Sequence, residues 1–252
     1  MKTSQTWIEH FSGNIKIQRI DWDLQPSLTS IERNNILSSM KAWQLGETSD
    51  GAHLMKASRK YSNKIHDNDY PLAVELFIKE EQKHGNNLGK YLDMINEKRL
   101  RQNWADTMFR KVRYFNSSME LWTLAVITVE STAQVFYQAL KDATRCQLLK
   151  QICTDILIDE AFHIDFQLER FLLIHENKKV ISKFLSYYLY KSFYYFTITL
   201  VWLAYRKCFK AGNIPYVKYR KKMSLKFKKT IGKLKNLPGK MVLPAKILVY
   251  KN

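Results

Sequence analysis

Four stretches of the chain carry apolar residues at helical spacing, and in each a carboxylate falls on the apolar stripe. Met40, Trp43, Glu47 and Leu54 recur on one face. So do Phe77, Glu81, His84, Leu88, Tyr91 and Ile95, then Ile127, Glu130, Gln134 and Tyr137, and finally Cys153, Ile156, Glu160, His163 and Phe166. Steps of three and four residues bring side chains to one side of an α-helix. The pattern predicts helices over about 29–62, 71–96, 118–140 and 145–175. Start chemistry precedes the first two, with Ser27, Thr29 and Ser30 after Pro26, and with Asp67, Asn68 and Asp69 before Pro71. A basic run at Lys98–Arg101 leads into 104–116, read as a short helix or an early part of the third. Gly46 and Gly51 flank Glu47 inside the first predicted helix, as tolerated breakers or as a local distortion. With 8 Gly and 5 Pro and no period-two runs bounded by turn signals, the chain reads as all-α.

A carboxylate on a core-facing stripe needs a reason, because burying bare charges together is prohibitive. Two of the stripes share one device, Glu81-x-x-His84 and Glu160-x-x-His163. A Glu and a His three apart stack on one helix face and can ligate the same metal ion. With 12 Glu and 6 His in 252 residues, chance alone places about 0.3 such pairs. Glu47 and Glu130 supply one further carboxylate from each remaining helix. Two divalent cations would cancel four Glu charges. The candidate metal and catalytic set is therefore Glu47, Glu81, His84, Glu130, Glu160 and His163. The bland alternative, four solvated Glu and two unrelated His, requires the stripe phase to coincide four times.

These six residues match one for one the ligands of the ferritin-like di-metal carboxylate superfamily, which the chain resembles over about residues 30–175. The resemblance implies a ferritin-like four-helix bundle with two Fe ions, or an Fe/Mn pair, and O2 activation. It implies Glu81 and Glu160 as bridges, Glu47 and His84 on one ion, and Glu130 and His163 on the other. Asp159 matches an outer-shell Asp that would accept the second ring N–H of His84. Glu80-Glu-Gln-Lys-His-Gly85 with Leu88-Gly-Lys-Tyr-Leu92, and Gln151-Ile-Cys153 leading to Asp159-Glu-x-x-His163, look most similar to soluble acyl-carrier-protein desaturases. Ala133 stands where those enzymes carry a Thr. Leu88 stands where the small subunit of ribonucleotide reductase keeps a radical Tyr. The implied function is an O2-activating oxidoreductase, oxygenase- or desaturase-like, on an apolar, acyl-type substrate that is free or carrier-bound. A ferredoxin or reductase would supply electrons. A non-enzymatic iron-binding or ferroxidase protein is the alternative, and a multi-subunit cage rather than a monomer or homodimer would mark it.

Charge divides the chain. Residues 1–176 hold 22 Lys+Arg and all 23 Asp+Glu, whereas residues 177–252 hold 19 Lys+Arg and no acid. The expected organisation is an irregular segment at 1–28, the bundle at 29–176, and an aromatic helix with a polybasic tail at 177–252. The helix, about 180–210, is interrupted near its middle by Lys191. Its uncharged run at 192–205 is too short to cross a bilayer. It reads as an extra helix packed on the bundle or in a dimer interface, with a membrane-surface helix as the sharper reading. The tail from Ile214 is expected to order only with a partner: an acidic carrier, an anionic membrane or, less favoured for want of a binding motif, RNA. Cys146, Cys153 and Cys208 form no C-x-x-C and read as free buried thiols of a reducing compartment. The N-terminus has no apolar signal core, so the expected location is cytoplasmic, with contact to the inner membrane face in the sharper reading.

Overall fold

The computed structural model describes residues 2–102, 118–176 and 178–236, all of whose regular elements are helical. The bundle core is built from α2 (Ser30–Glu47), α4 (Tyr70–Met94), α5 (Met119–Asp142) and α6 (Gln147–Glu176). Thr29 starts α2 through a capping box. Its side chain accepts from the Glu32 amide while the Glu32 carboxylate accepts from the Thr29 amide at 2.7 Å. Pro71 lies in the first turn of α4, where no amide partner is needed. Gln44 donates to the Gly85 carbonyl and Arg33 pairs with Glu97, so α2 and α4 run antiparallel. A four-residue link, 143–146, turns α5 back along α6. Ile36, Met40, Leu88, Tyr91, Ile127, Phe136, Ile152 and Ile156 close the centre.

Three expectations are corrected. The helix predicted over 29–62 is two helices, because α2 stops at Glu47 and α3 (Ala52–Ile65) starts after a turn. Gly51 in that turn adopts φ +66°, and a Cβ there would lie 2.5 Å from Ile78 Cδ1. Left-handed backbone and close packing leave room only for glycine, which rules out a continuous helix. The segment expected to be irregular contains α1 (Ser4–Asn14), capped by Thr3 and held by buried Trp7 and Phe11. The described part of the tail expected to need a partner, 214–236, folds on its own bundle: α7 (Val180–Ala211) leads to α8 (Tyr216–Lys229) and a 3-10 turn at Ile231–Asn236. Tyr219, Met223 and Phe227 of α8 enter the main core, because their spacing of four buries one face. Tyr194 and Tyr219 each donate a phenol hydrogen bond of 3.0 Å, to the Met223 and Ile198 carbonyls, which clamps α8 to α7. The stretch 104–116, read as a short helix or an early part of the third, lies outside the described residues. Cys146, Cys153 and Cys208 are free and buried.

Candidate metal centre

The break after Glu47 places that residue in the last turn of α2, facing α4. Glu81 and His84 come one turn apart from α4, Glu130 from α5, and Glu160 and His163 one turn apart from α6. The structure brings all six together. Ligand-type atoms of Glu81, Glu130, Glu160 and His163 all lie within 4.8 Å of one another, and those of Glu47, Glu81 and His84 do the same. Glu81 belongs to both groups. Glu160 Oε1 also lies 4.0 Å from His84 Nδ1, so it reaches toward both.

Each histidine is fixed from behind. His84 Nε2 donates to Asp159 Oδ2 at 3.0 Å, the place the resemblance assigns to Asp159. His163 Nε2 donates to Glu80 Oε2 at 2.9 Å. A proton on each Nε2 leaves the Nδ1 lone pair pointing inward. Phe77 sits edge-on to the His163 ring at 4.8 Å between centroids, which limits its rotation. Asn14, the last residue of α1, spans the two acids, donating to Glu80 Oε1 at 2.6 Å and to Asp159 Oδ1 at 2.8 Å. Arg19 and Lys83 pair with Asp155 and Asp159, so this outer layer carries its own counter-charge.

Sequence reasoning missed Glu80, Asn14 and Arg19, and also Tyr137 as a partner of Glu47. Glu80 was legible: it precedes Glu81 as Asp159 precedes Glu160, and each acid serves the histidine of the opposite helix. Asn14 and Arg19 left no such signal, because their partners are 66 to 145 residues away and their segment shows no motif. Tyr137 stands on the predicted stripe, and its hydroxyl donates to Glu47 Oε1 at 2.5 Å.

The inner atoms fit a cation pair. Glu81 Oε1, both Glu160 oxygens and the Nδ1 atoms of His84 and His163 are buried with no hydrogen-bond partner. His163 Nδ1 approaches Glu81 Oε1 to 2.6 Å. Orphaned buried acceptors are costly and rare, and here several face one another. A set of four carboxylates and two imidazoles offers hard and borderline donors suited to Fe(II) or Mn(II). Without cations the site is strained electrostatically. Burial and the neighbouring Glu81 push the Glu47 carboxyl well above its ordinary range. Burial and Glu130 do the same to Glu160. Burial also opposes the charge on Glu81, but His163 and His84 outweigh it and hold this carboxyl down to about 2. For His163, burial opposes the charged ring, and Glu81 and Glu80 prevail, so its value rises.

These directions set a pH prediction for metal-free protein. Glu47 and Glu160 hold protons more tightly folded than unfolded, so they begin to destabilise the fold as pH rises past their ordinary value near 4.5. His163, with a raised value, contributes stability at low pH that is lost as pH rises through its folded value. Both therefore weaken the fold in the same direction. Glu81 acts oppositely, but only between about 4.5 and about 2. Chelated protein should melt several degrees lower at about pH 8 than at about pH 6, while metal-loaded protein should not, because cations favour the deprotonated ligands. Parallel melting curves with and without metal would sink this account.

Beside the centre is a cavity of about 150 Å3, touching Glu47, Glu81 and Glu130. Trp122, Val126, Ala133 and Val201 supply apolar wall, and the far end reaches exposed Asp50, Ala52 and His53 at the α2–α3 turn.

The sequence matches no family model and no curated protein. The structure does have relatives. A solved R2-like ligand-binding oxidase with an aerobically reconstituted Mn/Fe cofactor matches with TM-score 0.58 at 18% identity, over 93% of this chain and 92% of that one. The chain shares the fold of these oxidases. Two mutants of the R2-like oxidase, both with aerobically reconstituted Mn/Fe cofactors, match with TM-scores of 0.61 and 0.59 at 17% identity, each over 94% of this chain. They cover 94% and 93% of the respective oxidase chains. The likeness to the R2-like oxidase thus spans nearly the whole chain, whereas the likeness to desaturases rests on two short motifs. Identity this low carries the fold and not the activity.

Proposed function

We propose that the protein is a di-metal oxidase that uses O2 to oxidise an apolar small molecule held in the cavity beside Glu47, Glu81 and Glu130. The observation that carries this reading is the convergence of Glu and His ligand atoms from four helices next to an apolar cavity, with the inward atoms of Glu81, His84, Glu160 and His163 lacking any hydrogen-bond partner. Glu47 and His84 would hold one ion and Glu130 and His163 the other, with Glu81 and Glu160 shared. The R2-like oxidases carry a reconstituted Mn/Fe cofactor, which supports an Fe/Fe or Mn/Fe pair here. When bound, the pair supplies the reduction of O2.

The rest is the work of this chain's residues. Asp159 and Glu80 keep the two imidazoles turned inward. Tyr137 holds a proton at Glu47 Oε1, where a proton can be passed inward or withheld. Burial and Glu47 raise the Tyr137 hydroxyl well above its ordinary range, so it stays protonated. Trp122, Val126 and Ala133 exclude water and orient an aliphatic chain along the cavity. Reducing O2 to water takes four electrons. A dehydrogenated substrate gives two, and an external one-electron donor such as a ferredoxin gives the other two. An acyl chain, free or on a carrier, fits an apolar cavity. A purely storage or ferroxidase role gives that cavity no use.

The test is anaerobic loading with Fe(II), alone or with Mn(II), followed by O2. About two ions per chain and stoichiometric O2 uptake are expected. Val126→Phe should leave metal content unchanged while lowering affinity for a medium-chain acyl thioester by about tenfold or more. Metal binding without O2 uptake would sink the oxidase reading, and undiminished thioester binding in Val126→Phe would sink the cavity assignment.

A further inference from the structure

The bundle does not absorb all of α7. Its inner face, with Tyr190, Tyr194, Ile198 and Val201, is buried against the core. Its outer face carries Ile181, Phe184, Leu185, Leu189 and Phe196, exposed at 83, 63, 60, 59 and 66%. At about 100° per residue these five fall within one arc of the helix surface, and exposed Leu203 continues it. From Ile181 to Leu203 the stripe runs about 33 Å at the helical rise of about 1.5 Å per residue. Five large apolar side chains in one exposed line are unlike the scattered apolar residues normal on a protein surface.

What surrounds the stripe identifies its partner. No acidic residue follows Glu176, whereas Lys178, Lys179, Lys191, Arg206, Lys207 and Lys210 lie along or beyond the ends of the stripe. On its flank, Tyr188, Lys191, Ser192, Tyr195 and Arg220 line a shallow open notch, with the Arg220 guanidinium 4.6 Å from the centre of the Tyr195 ring. Guanidinium, ammonium and phenol groups beside an apolar ridge match the layering of a bilayer surface, where phosphate lies above acyl chain. Among the described residues no helix is long and apolar enough to cross a membrane, so the match is to a helix lying in the plane of the surface.

We infer that α7 and the flanking basic residues of α8 form a docking face for an anionic lipid bilayer, with the apolar stripe inserted among acyl chains and the Arg220 notch on a lipid phosphate. The inference does not depend on the metal centre. A second copy of this chain is a poorer occupant, because pairing two such faces would bring the Lys and Arg groups beside each stripe together with no acidic residue from this segment to offset them.

The experiment is co-sedimentation of the full-length protein with vesicles of phosphatidylcholine alone or of equal parts phosphatidylcholine and phosphatidylglycerol. Binding to the mixed vesicles and at least about tenfold weaker binding to the neutral ones are expected. Phe184→Glu with Leu189→Glu should weaken binding to mixed vesicles by about tenfold or more, and Arg220→Glu should weaken it while leaving the stripe intact. Both positions are exposed, so melting temperature and metal content should stay at wild-type values. Equal binding by wild type and the doubly substituted protein would overturn the proposal. So would indifference to phosphatidylglycerol, or a stable dimer that Phe184→Glu with Leu189→Glu dissociates while vesicle binding is absent throughout.

Discussion

Glu81→Ala is expected to reduce bound metal from about two ions per chain to below about 0.2, the largest loss any single ligand change should cause. The reason is position. Glu81 is the residue common to the two clusters of ligand atoms, so its removal opens both at once. It is also the carboxyl that His163 and His84 keep ionised at low pH, and so the one ready to bind without first losing a proton. Glu47 belongs to one cluster only, and Glu47→Ala should retain a single ion. Asp159→Ala removes no ligand atom, only the acceptor that orients His84, and should weaken affinity by about 10- to 100-fold. Metal analysis after equilibrium dialysis checks the order Glu81, then Glu47, then Asp159. Full double occupancy in Glu81→Ala would remove the bridging role. Far-ultraviolet circular dichroism separates that outcome from loss of the fold.

The largest effect on stability is expected far from the metal centre, at Gly212. This residue ends α7 directly against the backbone of α5. A Cβ there would lie 2.2 Å from the Ala139 carbonyl oxygen and 2.6 Å from Ala139 Cα. Backbone atoms cannot rotate away as a side chain can, so α7 must withdraw from α5 or α5 must shift. Gly212→Val should cost about 3 kcal/mol or more and lower the melting temperature by about 10 °C. Gly46→Ala is the internal control with the opposite sign. Gly46 lies inside α2, nothing comes within 4 Å of a Cβ built there, and replacing a helical glycine should add up to about 1 kcal/mol. Thermal melts of chelated proteins decide it, and equal melting temperatures for the two variants would show that α7 is not held tightly to α5.

Where the helices lie and which residues face inward could be read from periodicity, since a stripe at steps of three and four is a property of one segment alone. The helix at 180–210 was read to within a residue of α7. The first helix was misread because Gly46 and Gly51 were compatible with two outcomes. Only contact with Ile78 shows that the chain must turn at Gly51. The tail's Lys density suggested order only with an anionic partner, but Tyr219, Met223 and Phe227 line one face that the bundle covers.

The sequence by itself determined the six ligand candidates, because a Glu and a His three apart on two apolar stripes give four of them and a lone Glu on each of the other two stripes gives the rest. It also determined the break in charge after Glu176, which is a matter of counting. Tertiary structure alone decided which acid serves which histidine, since Asp159 with His84 and Glu80 with His163 are pairs across helices. It alone brought Asn14 and Arg19 to the outer layer of the centre and Tyr137 to Glu47. It alone left one side of α7 uncovered, because an apolar helix reads the same in sequence whether one face or both are buried. Local periodicity encodes orientation within a helix, but pairing between helices depends on how whole faces fit, and that is a property of the packed chain.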